Sequence, residues 1–176
     1  NPVFMGPYPV NHVFGAQVDV IQFLCTYHQI KGRRSLRRYL RRLEQIVWKL
    51  AGLQETLAVN AAEGVLPPRF VIEKSLYQIK GFLSHPLGEN PLFASVIEKM
   101  KKSTRFGKWD VKRWGNRVKQ SLVEHVLPAY QRLEKSLESL LPEADVEVGV
   151  SLSISLGTGW LVLEAARMSA AGKSRA

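Results

Sequence analysis

Four histidines, one cysteine and a dense run of arginines are the residues of this chain with most chemistry to offer. No two of His12, His28, His85 and His125 stand four residues apart. That spacing would place two imidazoles on one helix face to hold zinc. Cys25 has no second cysteine to complete a thiolate site or a disulfide. Cys25 and His28 share a helical face if the segment is helical, and read as a small buried thiol near a hydrogen-bonded imidazole. A reactive thiol would need exposure and a lowered pKa. There is no Gly-x-Ser-x-Gly elbow and no phosphate-binding glycine loop, and Gly157-Thr158-Gly159 reads as a turn. Glu44, Glu55, Glu63 and Glu73 are scattered along helical positions, so a catalytic carboxylate pair cannot be read from spacing. Tyr77, Tyr130, Trp109 and Trp114 read as core or interface anchors.

The strongest charge cluster is Arg33, Arg34, Arg37, Arg38, Arg41 and Arg42, and a second runs from Lys99 to Lys119. The formal net charge is +10. It attracts acidic partners and says little about fold. Nucleic acid, an anionic membrane surface and an acidic protein are all compatible with it. Phosphate contact would release counterions and respond steeply to salt. Against nucleic acid, no aromatic residues interleave with the arginines as base stacking would require. The favoured reading is a solvated helix face, or one side of an ion-pair network with another domain. A basic helical interaction module for nucleic acid or an acidic protein is the alternative.

The elements that must position these residues are mainly helices. Pro2, Gly6, Pro7 and Pro9 predict an extended or turned start. A short helix is expected over Gln17–Gln29, with Val18, Ile21 and Cys25 buried. The clearest helix runs from Ser35, its expected N-cap, to Glu63. Leu36, Leu40, Leu43, Val47, Leu50 and Leu57 form its apolar face, widened by Tyr39, Ile46 and Leu53. Gly64 supplies its stop. Pro67 and Pro68 open the next helix, with Ile72, Leu76, Ile79 and Leu83 inward and Pro86 at its end. Gly88-Glu89-Asn90-Pro91 reads as a loop. A shorter helix follows with Leu92, Phe93, Val96, Ile97 and Met100 inward, then a basic connector from Lys101 to Lys108. Asp110 should cap a long helix reaching Leu141, interrupted and kinked at Pro128.

Beyond Glu143 the pattern changes to a period of two. Val146, Val148, Val150, Leu152, Ile154 and Leu156 alternate as in a half-buried strand. A last short helix is expected over Trp160–Ala171. The fold class is therefore mainly α, a bundle or array of four to five helices, with a short strand near 145–156. The 176 residues suffice for one core. No run approaches the ~18–20 apolar residues of a membrane span. The chain begins at Asn1 rather than a methionine, so a longer product is expected, and both cytoplasm and periplasm stay open.

Three segments carry a resemblance. The first is Gly6-Pro7-Tyr8-Pro9-Val10-Asn11-His12-Val13-Phe14-Gly15-Ala16-Gln17-Val18-Asp19, continuing through Phe23 to Tyr27-His28-Gln29-Ile30. The second is Gly64-Val65-Leu66-Pro67-Pro68-Arg69-Phe70-Val71-Ile72-Glu73-Lys74. The third is Asn90-Pro91-Leu92-Phe93, with Val126-Leu127-Pro128-Ala129-Tyr130 further on. In this order they resemble bacterial domain-of-unknown-function family 885, whose members are predicted zinc-dependent peptidases of the gluzincin type. The resemblance covers Asn1 to Val150. It implies a large helical protein whose zinc motif lies much further along the chain. There, two imidazoles would hold the metal and a glutamate would act as general base. None of those residues is present here, so no catalytic or metal ligand is assigned, and inactivity of this chain alone is expected. Zinc and a peptide substrate belong to the full-length members.

By the same resemblance, residues 1–150 form the helical N-terminal part of the peptidase-like domain and wall its substrate cleft. Asn11, Gln17, Asp19 and His28 are candidates to line that cleft. The competing role for these four is capping helices and satisfying buried backbone groups. Residues 151–176 form an atypical tail, expected to arise from a frame change. Apolar faces left uncovered would allow self-association.

Overall fold

Leu36, Leu43, Leu50 and Leu57 recur every seven residues, with Tyr39, Ile46 and Leu53 between them. A heptad of this kind places all seven side chains in one narrow seam. In the computed structural model, which describes Val10 and residues 15–144, all seven are buried. They line helix α2, Arg33–Ala62, which at 30 residues is the longest element described. Leu40 and Val47, expected at the centre of this face, lie half-buried on its flank. The reason is their place one residue after Tyr39 and Ile46 in the heptad, which turns them off the seam.

The start of α2 also differs from expectation. Gly32 is its N-cap, and Ser35 stands in the first turn. The Ser35 hydroxyl accepts from the Gly32 and Lys31 N–H groups at 3.0 and 2.9 Å. The chain thus uses the returning half of a capping box. The helix ends as expected. Gly64 adopts φ +73°, its N–H reaches Ala61 O at 3.0 Å, and the Val65 N–H reaches Asn60 O at 2.8 Å. Those two bonds define a Schellman stop, and the left-handed φ is what calls for glycine.

Before α2 comes α1, Ala16–Gln22, which runs directly into a π-helical turn, Phe23–Tyr27. The residues buried here are Gln17, Leu24 and His28, while Val18, Ile21 and Cys25 are half-buried. Gln17, Leu24 and His28 share one helical face by their spacing of seven and four, beside the face that Val18, Ile21 and Cys25 share. After α2, Pro68 serves as N-cap to α3, Arg69–Ser84. Its inner stripe includes Ile72, Leu76 and Ile79 as expected, with Phe82 in place of Leu83. Asn90, read as loop, caps α4, Pro91–Lys102, accepting from the Leu92 N–H at 3.1 Å.

Helix α5, Lys108–Ser121, is capped by Gly107, so Asp110 falls in the first turn instead of capping. A second π turn, Leu122–Val126, leads into α6, Leu127–Leu140, with Pro128 at its start. Pro128 has no N–H for the Glu124 carbonyl. The disruption expected there takes the form of the wider turn just before it. A short 3₁₀ turn, Leu141–Glu143, ends the described chain.

The core sits where α2 packs on α6 and the second π turn, and α3 packs on α6. Helices α4 and α5 pack tightly at Gly115, where a Cβ would stand 3.1 Å from Ile97 Cδ1. Among the described residues there is no strand. The strand expected near 145–156 and the helix over Trp160–Ala171 lie outside them. Most of the proline-rich start does so too. Among the described residues, no helix is long and apolar enough to cross a membrane.

Candidate functional site

The first helix brings the polar residues of the N-terminal motif into the fold, and its far end is the most polar buried corner of the molecule. Unsatisfied carbonyls at a helix C-terminus attract a cation. Lys99, on α4, supplies it. Its Nζ donates to Leu24 O at 3.2 Å, Cys25 O at 2.6 Å and His28 O at 2.8 Å. Burial pushes the Lys99 pKa down, and Cys25 and Glu98 hold it partly back. Burial likewise pushes the Cys25 thiol up, against the pull of Ser95 and Lys99. A thiol held protonated this way is a poor nucleophile.

His28 lies beside this cap. Its Nε2 faces Ser35 O at 3.2 Å, and a carbonyl only accepts, so Nε2 carries the proton. Nδ1 is then free to accept from the Arg42 guanidinium. The ring meets Tyr39 edge-on, centroids 5.4 Å apart. Burial is the main cause that lowers the His28 pKa, with Arg42, Lys99 and Arg38 adding to it and the Ser35 carbonyl opposing. His28 is therefore a neutral strut between the first π turn and α2. Two buried tyrosines fasten the neighbouring elements. Tyr39 Oη donates to Leu92 O at 2.7 Å, and Tyr130 Oη donates to Gln17 O at 2.6 Å. Burial raises the pKa of both phenols, which keeps them as donors.

Two grooves run along α1. One, about 410 Å³, lies between α1, α3 and α6, and is lined by Gln17, Ile21, Gln78, Phe82, His85 and Tyr130 among others. The other, about 370 Å³, lies between α1 and α2, with Asp19, Phe23, Arg42, Gln45 and Lys49 around Leu24 and Ile46. Both volumes fall in the range of small-ligand sites. Gln17 thus faces one groove and Asp19 the other, while His28 is buried at the helix end. Asn11 lies outside the described residues. The four candidate lining residues do not meet in one constellation among the described residues.

The basic clusters, by contrast, come together. Arg33 pairs with Asp110 at 3.2 Å, and Arg105 donates to Lys31 O at 3.3 Å, so the starts of α2 and α5 share one surface. Arg33, Arg34, Arg37, Arg38 and Arg41 are exposed, and Arg42 is partly covered by His28 and by Phe23, whose ring it overlies at 5.0 Å. Trp48 is 80% exposed and follows Arg37 and Arg41 on the same helical stripe. Trp109 and Tyr77 are exposed as well, whereas Trp114 and Tyr130 are buried anchors.

Sequence reasoning missed Lys99 and Asn90. Lys99 stands between Val96 and Met100 on the inward side of α4, which is the signal that could have marked it as a half-buried cation. Among the described residues, no three His, Cys, Asp or Glu side chains gather where a metal ion could be held.

The comparisons with known proteins follow this geometry. The family described as "Bacterial protein of unknown function (DUF885)" matches residues 4–159. The match continues past Val150, where the sequence pattern alone suggested a departure. A crystal structure of a putative lipoprotein from Colwellia psychrerythraea superposes with a TM-score of 0.78 at 27% identity. That likeness covers 82% of this chain and 25% of the Colwellia chain, so this chain spans a quarter of the solved relative's length. No curated protein matches. With the family match extending over most of its length, the chain belongs to the DUF885 family of bacterial proteins of unknown function.

Proposed function

We propose that this chain is the non-catalytic helical wall of a larger protein's substrate cleft, and that the larger protein is a zinc-dependent peptidase. The observation that carries the reading is the quarter-length match: the same helical arrangement recurs inside a longer structure, of which it makes up 25%. The peptidase part comes from the resemblance of the N-terminal motif. The two grooves along α1 support the wall role, since they offer apolar floors with amide and charged groups at their rims. Asp19, Arg42 and Lys49 around the groove between α1 and α2 are suited to a peptide's main chain and charged ends. The residues that would hold zinc lie outside this chain.

The test compares two purified proteins, this chain and the Colwellia relative, by zinc content and by cleavage of a mixed fluorogenic peptide library. The expected result is stoichiometric zinc and turnover for the relative, and neither for this chain. Zinc-dependent turnover by this chain alone would overturn the non-catalytic role. Absence of zinc and turnover in the relative would overturn the peptidase assignment.

A further inference from the structure

Positive charge is concentrated in two segments of the sequence. Residues 31–42 and 99–119 hold 16 of its 25 lysines and arginines, and Asp110 is the one acid among them. The rest of the chain carries 9 basic residues against 14 acids. The fold joins the two basic segments through Arg33–Asp110 and Arg105–Lys31. No ion pair engages Arg34, Arg37 or Arg41 among the described residues. Exposed aromatic rings accompany both basic segments: Trp48 follows the α2 arginines on their helical stripe, and Trp109 at 66% exposure lies under Arg113 at 5.2 Å.

We propose that this face docks on the anionic surface of a phospholipid bilayer. Guanidinium groups match phosphate geometry, and each basic side chain near an anionic leaflet adds to the attraction. Indole rings favour the same headgroup level. The arrangement fits a bilayer better than nucleic acid, because Arg113 and Arg42 already cover a face of Trp109 and Phe23, leaving fewer platforms for bases. It fits better than an acidic peptide, because neither groove along α1 is lined by Arg34, Arg37, Arg41 or any α5 residue, so those grooves offer the arginine face no peptide slot. Surface docking needs no spanning helix. The inference stands apart from the peptidase reading, since its readout involves no turnover.

The experiment is co-flotation of the intact 176-residue chain with vesicles. One set is phosphatidylcholine alone and the other contains phosphatidylglycerol. Binding is expected on the anionic vesicles only, and it should weaken steeply with salt. The triple variant R34Q/R37Q/R41Q should bind about a hundredfold more weakly, at roughly fivefold for each charge. Its melting curve should be unchanged, since all three side chains are exposed. Trp109→Ala should lose severalfold, mostly in the part of binding that survives salt. R132Q/K135Q, on the exposed side of α6, should bind as the parent does. Equal binding to both vesicle types, or an unaffected triple variant, would overturn the proposal. So would tight binding of a DNA duplex by a chain that leaves anionic vesicles unbound.

Discussion

The seam of α2 against α6 and the corner at the end of α1 are held together by different physics. The seam is a heptad of seven buried apolar or aromatic side chains meeting Leu133 and Leu137. Its attraction is non-directional and scales with area removed from water. The corner is a set of directional bonds: Lys99 on three carbonyls, His28 between Ser35 and Arg42, and Tyr130 on Gln17. A seam tolerates exchange of similar side chains. A corner of buried donors and acceptors does not, because each lost partner leaves a buried polar group unpaired. The corner also lies beside both grooves, since α1 lines each of them.

Substitutions can break or sharpen this contrast. The largest effect is expected in the seam. Leu43→Ala should cost about 2–5 kcal/mol in urea unfolding and lower protection along both α2 and α6. Lys99→Met keeps the stem and removes the charge. It should cost about 2–3 kcal/mol, with hydrogen exchange rising at residues 23–31 while the seam stays protected. If exchange rose equally along α2, the corner would not be a separate unit. Tyr130→Phe should cost about 1 kcal/mol, the worth of one buried hydrogen bond.

The pH response tests the same corner. The folded His28 pKa is lowered, so below the ordinary value of 6.5 the unfolded chain binds the proton first. Stability should therefore fall as pH drops from that point toward the lowered value, by at most about 1.4 kcal/mol per unit from this group. His28→Asn should flatten that part of the profile. The smallest effect is a gain. Gly52 lies in the exposed middle of α2, with open space where a Cβ would stand, so Gly52→Ala should add about 0.5–1 kcal/mol.

The seam was largely legible in the sequence, because apolar spacing is a repeated signal and Gly64 is a strong stop. Even there, the heptad centre was misplaced by one position, at Leu40 and Val47. The corner was not legible. A lysine that reaches three carbonyls on a segment more than 70 residues away leaves no local spacing to read. On α1 the inward face lies one position from the apolar run, so Gln17 and Leu24 are buried where Val18 and Ile21 were expected. Proline punctuation worked better, since Pro86 and Pro128 mark an end and a disrupted turn. Of the site, the arginine cluster was visible as charge, but its union with α5 depended on tertiary contacts.

The central claim is that α1 walls a cleft and takes no part in the chemistry. It is tested most directly in the longer Colwellia relative, by replacing with alanine the residues that superpose on Asp19 and Phe23, both lining the groove between α1 and α2. Peptide turnover is then measured over a range of substrate concentrations. A wall predicts a raised KM with kcat nearly unchanged, because only uniform binding is lost. An unchanged KM together with a lowered melting temperature would contradict the account and leave α1 a structural element alone.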